Sequence, residues 1–164
     1  MQTTHETIYT KDLAGKQIKA TREFDAPVDQ VWKAWSDSSL LDQWWAPKPW
    51  KAKTKSMDFK AGGTWLYSMN GPDGESQCAR MDFETIDSQK SYTSIDSFCD
   101  ENGLRNQDMP TMRWNTQFKS TDNGTMVTVL VTFNNEAELE QIVATGFKEG
   151  FAMAHDNLDE LLKK

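Results

Sequence analysis

From residue 139 to the end of the chain, apolar positions recur every three or four residues: Leu139, Ile142, Val143, Gly146, Phe147, Gly150, Phe151, Ala154, Leu158 and Leu161. That spacing lays one stripe along a helix, with Glu136, Glu140, Lys148, Glu149, Asp156 and Glu160 mostly on the other side. Asn135, with Glu138 three residues on, fits a reciprocal N-terminal cap, so a single helix is predicted over 135–162. A stripe of this length must bury itself against something. The only partners upstream are strands.

Residues 17–25 alternate Ile18, Ala20, Arg22 and Phe24 against Gln17, Lys19, Thr21 and Glu23, a strand with one wet face. Ala26-Pro27 ends it, and helices follow over 28–36 and 39–44 before Pro47 and Pro49 break the chain. Strands are then expected over 52–59, 64–69, 77–86, 90–99, 112–118 and 125–133. Their separators are turn signals such as Asn70-Gly-Pro-Asp-Gly74 and Asp122-Asn-Gly124. Consecutive strands on short turns pair antiparallel, and a sheet with one apolar face needs one cover. The expected fold is therefore α+β: about six or seven antiparallel strands wrapped around a long C-terminal helix, with two short helices after the first strand. Residues 1–16 are polar and mixed and read as a flexible leader; 17–164 form one domain.

At 164 residues, the chain can bury roughly 70% of its unfolded surface and needs neither disulfides nor a metal to fold. With 18 basic against 25 acidic residues and a net charge of −7, it is a poor match for nucleic acid, where affinity comes from phosphate neutralisation. Lys51, Lys53 and Lys55 alternate along one strand and mark its wet face. No stretch approaches the ~20 apolar residues of a membrane span, nor does the N-terminus show the apolar core of a signal peptide. The reading is a cytoplasmic protein without membrane insertion, monomer or homodimer being left open. No phosphate-cradling glycine loop, nucleophile elbow or paired metal-ligand spacing is present, and no cofactor or metal is expected. Cys78 and Cys99 fall opposite each other if the turn after residue 87 is tight, and are read as free thiols close in space.

Several words in order carry a family resemblance: Arg22-Glu-Phe-Asp-Ala-Pro27 before Val31-Trp-Lys-Ala-Trp35, then Leu41-Asp-Gln-Trp-Trp45-Ala-Pro47, Ala61-Gly-Gly-Thr-Trp65, Gly71-Pro-Asp-Gly74 and Gly146-Phe-Lys-Glu-Gly-Phe151. Across about 17–163 the chain resembles the START-like (SRPBCC) superfamily, in its branch related to the activator of the heat-shock-protein-90 ATPase. The resemblance implies a helix-grip fold with a hydrophobic cavity between sheet and C-terminal helix. It also implies binding of lipids, polyketides or other apolar small molecules, and in some relatives cyclase or hydrolase activity.

Seven tryptophans make that cavity plausible from composition as well, since each adds a large rigid apolar surface. The inward faces propose Trp65, Tyr67, Met69, Met81, Phe83, Tyr92, Phe98 and Trp114 from the sheet. The C-terminal helix adds Phe147 and Phe151, and the helical lead-in adds Trp35, Trp44 and Trp45. Asp96 shares the face of Tyr92 and Phe98 unless a one-residue bulge turns it outward. Inside, it would be a base or a hydrogen-bond anchor. His155, at the edge of the helical stripe, is the other weak catalytic candidate. The expected function is binding of an apolar small molecule of lipid, polyketide or aromatic type. One alternative is an enzyme using Asp96, Tyr67, Tyr92 or His155 for acid–base work; the other is a chaperone-contacting module.

Overall fold

The computed structural model describes residues 6–163. Eight strands form one antiparallel sheet: β1 (Ile8–Asp12), β2 (Gln17–Phe24), β3 (Lys51–Met57), β4 (Thr64–Asn70), β5 (Ser76–Asp87), β6 (Ser91–Cys99), β7 (Met112–Ser120) and β8 (Thr125–Phe133). Their spatial order is β1-β2-β8-β7-β6-β5-β4-β3. The run from β3 to β8 is a meander, as short turns between alternating strands dictate. Helices α1 (Val28–Ser36) and α2 (Ser38–Trp44) carry the chain from β2, beside one edge, to β3 at the other.

Alternation sets the buried face. In β8, Val127, Val129, Val131 and Phe133 are buried while their neighbours are half-buried. In β2 the inward set is Ile18, Ala20, Arg22 and Phe24. On edge strand β3 the lysines at 51, 53 and 55 are exposed around buried Ala52, which also guards the open edge against strand pairing.

Two expectations are corrected. Residues 8–12, read as flexible leader, form β1 and pair with β2 from Ile8↔Thr21 to Asp12↔Gln17; residues 1–5 lie outside the described range. The segment almost wholly lacks a buried face, so it carries no alternation to betray it; backbone pairing holds it, together with half-buried Tyr9, whose hydroxyl donates to the Lys148 carbonyl at 2.6 Å. The C-terminal helix is not continuous either. It divides into α3 (Glu136–Ala144) and α4 (Phe147–Leu162) at Gly146, which adopts φ 89° and ψ 22°. That left-handed conformation costs glycine nothing and other residues more. The Asn135 side chain caps α3 by accepting from the Glu138 N–H at 2.8 Å, but the Glu138 carboxylate Oε2 finds no partner, so the cap is one-sided.

The fold is thus the expected α+β helix grip, with α4 lying against the sheet's inward face and α1 and α2 beside it. Phe151 and Phe147 of α4 meet Trp114 of β7, and His155 meets Phe24 of β2.

Candidate functional site

A cavity of about 250 Å³ lies between the sheet and the α3–α4 junction, partly open to solvent. Its sheet wall is built from matched positions on four strands. Tyr67 on β4 stands opposite Ala79 on β5, Ala79 opposite Phe98 on β6, and Asp96 on β6 opposite Met112 on β7. Trp114 on β7 and Met69 on β4 extend this wall, while Ile142, Phe147, Gly150 and Phe151 close the helical side. Trp45 and Pro47, just after α2, supply a third side, and Gln77 and Thr145 are exposed at the rim.

Seven of the rings and thioethers proposed from sequence line this space: Trp45, Tyr67, Met69, Phe98, Trp114, Phe147 and Phe151. The other six do not line it. Trp35 and Trp44 pack edge-to-face on each other at 4.8 Å. Trp65 stacks on Tyr67 at 4.0 Å and donates its indole N–H to Thr54 Oγ1. Phe83 and Tyr92 contact each other and Phe59. Met81, like Trp65, is almost wholly buried in the core. Alternation identifies the inward face of a strand but not how far along that face the filling stops. Pro47, Gln77, Met112, Ile142 and Gly150 were not proposed, although Met112, Ile142 and Gly150 sit in the stripes that were read.

Asp96 faces inward. β5 carries the bulge, between Phe83 and Thr85, so β6 keeps its phase and Cys78 stands opposite Cys99 with both thiols free. The Asp96 side chain is buried, lines the cavity, and leaves Oδ1 without a hydrogen-bond partner. Burial pushes its carboxyl up to about 7, against the pull of the Ser97 backbone N–H. Nearby, the Trp45 indole N–H donates to the Tyr67 hydroxyl at 3.1 Å. Burial and the neighbouring Asp96 hold that phenol well above its ordinary pKa.

His155 is elsewhere. Its ring is fully buried among Phe24, Trp35, Trp44 and Phe151, and it lies outside the cavity wall. Its Nδ1 meets the Thr7 hydroxyl at 2.8 Å, and that hydroxyl accepts from Arg22 Nη1 at 3.2 Å. Arg22, itself buried, pairs with Asp156 at 2.8 Å and with Asp159. Burial, reinforced by Arg22, lowers the His155 pKa to about 3, so the ring is neutral. A neutral, enclosed imidazole bonded to a threonine packs; it does not reach the cavity to act as a base there.

The sheet order, the divided helix and the placement of the hollow can now be set against known proteins. The model of the family described as activator of Hsp90 ATPase homolog 1-like protein matches residues 25–163. The chain belongs to this family. The START-like resemblance is thereby borne out over nearly its whole expected extent. A crystal structure of a Mycobacterium smegmatis protein is 31% identical, covers 96% of each chain and superposes with a TM-score of 0.89. A solution structure of an Arthrobacter aurescens protein is 29% identical over 95% of this chain and 91% of its own, with a TM-score of 0.90. A crystal structure from Nitrosomonas europaea is 25% identical over 92% and 96% of the two chains, with a TM-score of 0.79. No curated protein matches the chain. Family membership supports a ligand-binding or co-chaperone-like module. Among the described residues, no helix is long and apolar enough to cross a membrane.

Proposed function

We propose that this family member binds an apolar small molecule, with aromatic character, in the cavity between its sheet and the α3–α4 junction. The observation that carries the reading is the hollow itself: about 250 Å³ between sheet and helix, walled by rings from three directions. Folded cores hold few voids larger than a water molecule, so a space of this size needs an occupant to explain it. An apolar cavity of about 150 Å³ holds one benzene, so this larger and partly open one suits a body of two or three rings. Ligand pockets share its character, being mostly apolar with a few polar groups to fix orientation.

The chaperone-contacting alternative rests on the family's description and has no need of an internal hollow. An acid–base enzyme would need two convergent titratable groups at the reacting atoms. The cavity holds one such pair, Asp96 and Tyr67, but the Tyr67 hydroxyl is engaged by the Trp45 indole N–H, and among the described residues no cation stands beside the pair on the cavity wall. Binding is the reading this geometry favours.

The test is titration with the neutral fluorescent probe N-phenylnaphthylamine. Saturable binding is expected, with affinity reduced about tenfold by Phe147→Ala, a loss of roughly 1.4 kcal/mol. A folded wild-type protein that never enhances the probe's emission would overturn the proposal.

A further inference from the structure

Asp96 is the one charged side chain on the cavity wall among the described residues. It is buried between apolar neighbours, with Met81 opposite it on β5 and Met112 opposite it on β7. Its Oδ1 has no partner, and no lysine, arginine or histidine reaches the same wall. A buried carboxyl left without a counter-charge is costly, and such groups call for a specific explanation. The Trp45 indole N–H is given to Tyr67, and the Trp114 indole N–H and Ser97 hydroxyl on the same wall make no hydrogen bond to Asp96, being unpartnered themselves. The Ser97 backbone N–H is the one protein donor acting on the carboxyl, and it leaves Oδ1 unpartnered and without a counter-charge. Trp45, Tyr67, Trp114, Phe147 and Phe151 line the same cavity, and aromatic walls of this kind attract an organic cation through the ring quadrupoles.

Resting on the binding function proposed above, we infer that the ligand carries a protonated amine on its aromatic body, and that Asp96 is the residue that selects it. The ammonium would donate to the free carboxylate oxygen while its flanks lie against the rings. The same arrangement rejects acids: a ligand carboxylate would meet Asp96 with like charge and find no cation to offset it. Fatty acids and aromatic acids are accordingly excluded from a space whose apolar walls would otherwise accept them. The carboxyl's raised pKa fits this account, because it reflects a site that lacks a positive partner until the ligand brings one.

A set of naphthalenes differing in one substituent provides the test: aminomethyl, hydroxymethyl, methyl and carboxymethyl, titrated by quenching of tryptophan emission in wild type and in Asp96→Asn. In wild type, the aminomethyl compound should bind at least about tenfold tighter than the methyl compound, and the carboxymethyl compound weakest of all. Asp96→Asn should erase the amine's advantage, so that the aminomethyl and methyl compounds bind the variant within about twofold of each other. If the methyl compound binds wild type and the amine binds no tighter, the amine inference falls while the container stands. A hydroxymethyl compound that outranks the amine also overturns it, and identifies Asp96 as a neutral donor. If none of the four binds, the proposed binding function falls with it. The wild-type ranking decides on its own should Asp96→Asn fail to fold.

Discussion

The two halves of α4 cover the same sheet and meet it differently. Phe147, Gly150 and Phe151 look onto the cavity, whereas Ala154, His155 and Leu158 are buried in solid core. Large rings are present at both ends, so ring size does not make the hollow. The difference comes from the third layer. At the closed end, α1 and α2 push Trp35 and Trp44 under the helix, where they contact His155 and each other. At the open end the chain has already left α2; Pro47 lies beside Gly150, and the Trp45 ring, in contact with Phe151 and Trp114, walls one side of the space without filling it. The charged groups differ between the ends as well. Arg22 meets two carboxylates and is linked through Thr7 to His155, while Asp96 keeps an oxygen unpartnered. Unpartnered polar atoms remain at the closed end too, on Arg22 Nε, Trp35 Nε1 and His155 Nε2, but they are enclosed by packed side chains, whereas Asp96 borders open space. The open end is left for something else.

The strongest way to break this comparison is to truncate one ring at each end. Trp35→Ala should cost about 3–5 kcal/mol of stability, since it empties a close-packed site. Phe147→Ala should cost about 1 kcal/mol, since the ring is half-buried on a wall that already borders space. Urea unfolding of both variants measures the pair, and equal losses would mean the two ends are packed alike.

Their titrations should oppose each other. Asp96 is held at about 7 against an ordinary 3.8, so between those values the native state keeps a proton the unfolded chain releases. Stability on its account falls as pH rises through that window. His155 is held at about 3 against 6.5; there the unfolded chain takes the proton, and stability falls as pH drops. Where the windows overlap, between 3.8 and 6.5, the two slopes of about 1.4 kcal/mol per unit nearly cancel. Asp82, kept at about 2 by Arg80, Arg105 and Thr64 despite its partial burial, titrates below this range. Asp96→Asn removes one slope and should leave a variant that loses about 3 kcal/mol on acidification across the overlap, where wild type stays nearly level. Identical profiles of urea midpoint against pH would show that the carboxyl is not held up by burial.

A smaller effect is expected at the seam of the closed end. Thr7→Val deletes both the acceptor for Arg22 and the partner of His155 Nδ1, and should cost about 1–2 kcal/mol. A loss near zero would show that this link merely accompanies the packing of α4.

How much of this was legible in the sequence depended on whether a residue obeyed a period. Strand alternation placed Arg22 inward and Asp96 on the face of Tyr92, and it paired Cys78 with Cys99. It could not show β1, whose residues Ile8–Asp12 lie almost entirely outside the core. Nor could it separate Trp44 from Trp45, adjacent rings of which only the second lines the cavity. That distinction comes from the turn of chain after α2 and from the bond between Trp44 Nε1 and the Ala34 carbonyl, which are tertiary facts. Tyr67 and Trp65 share one face two residues apart, yet only Tyr67 reaches the hollow. The helix break was present as Gly146 and Gly150, counted as members of the apolar stripe when one of them was its interruption.

Those two glycines give the finest comparison, because alanine should act on them with opposite sign. At Gly146 a methyl group would meet nothing closer than Glu149 Oε2 at 4.0 Å, so crowding is not the issue; the φ of 89° is. Alanine must carry the strain of a left-handed conformation and should destabilise by about 1 kcal/mol. Gly150 lies inside α4, and an added methyl would touch Pro47 Cγ at an ordinary 3.6 Å. There alanine removes the entropic cost of glycine in a helix and should stabilise by about 0.5–1 kcal/mol. It also projects beside the cavity, so N-phenylnaphthylamine should bind Gly150→Ala more weakly although the protein is more stable. Unfolding midpoints that move in the same direction for both variants would show that the break between α3 and α4 is set by something other than the backbone of Gly146. A Gly150→Ala protein that gains stability and keeps full probe affinity would place the bound rings deeper, toward Asp96 and Met112.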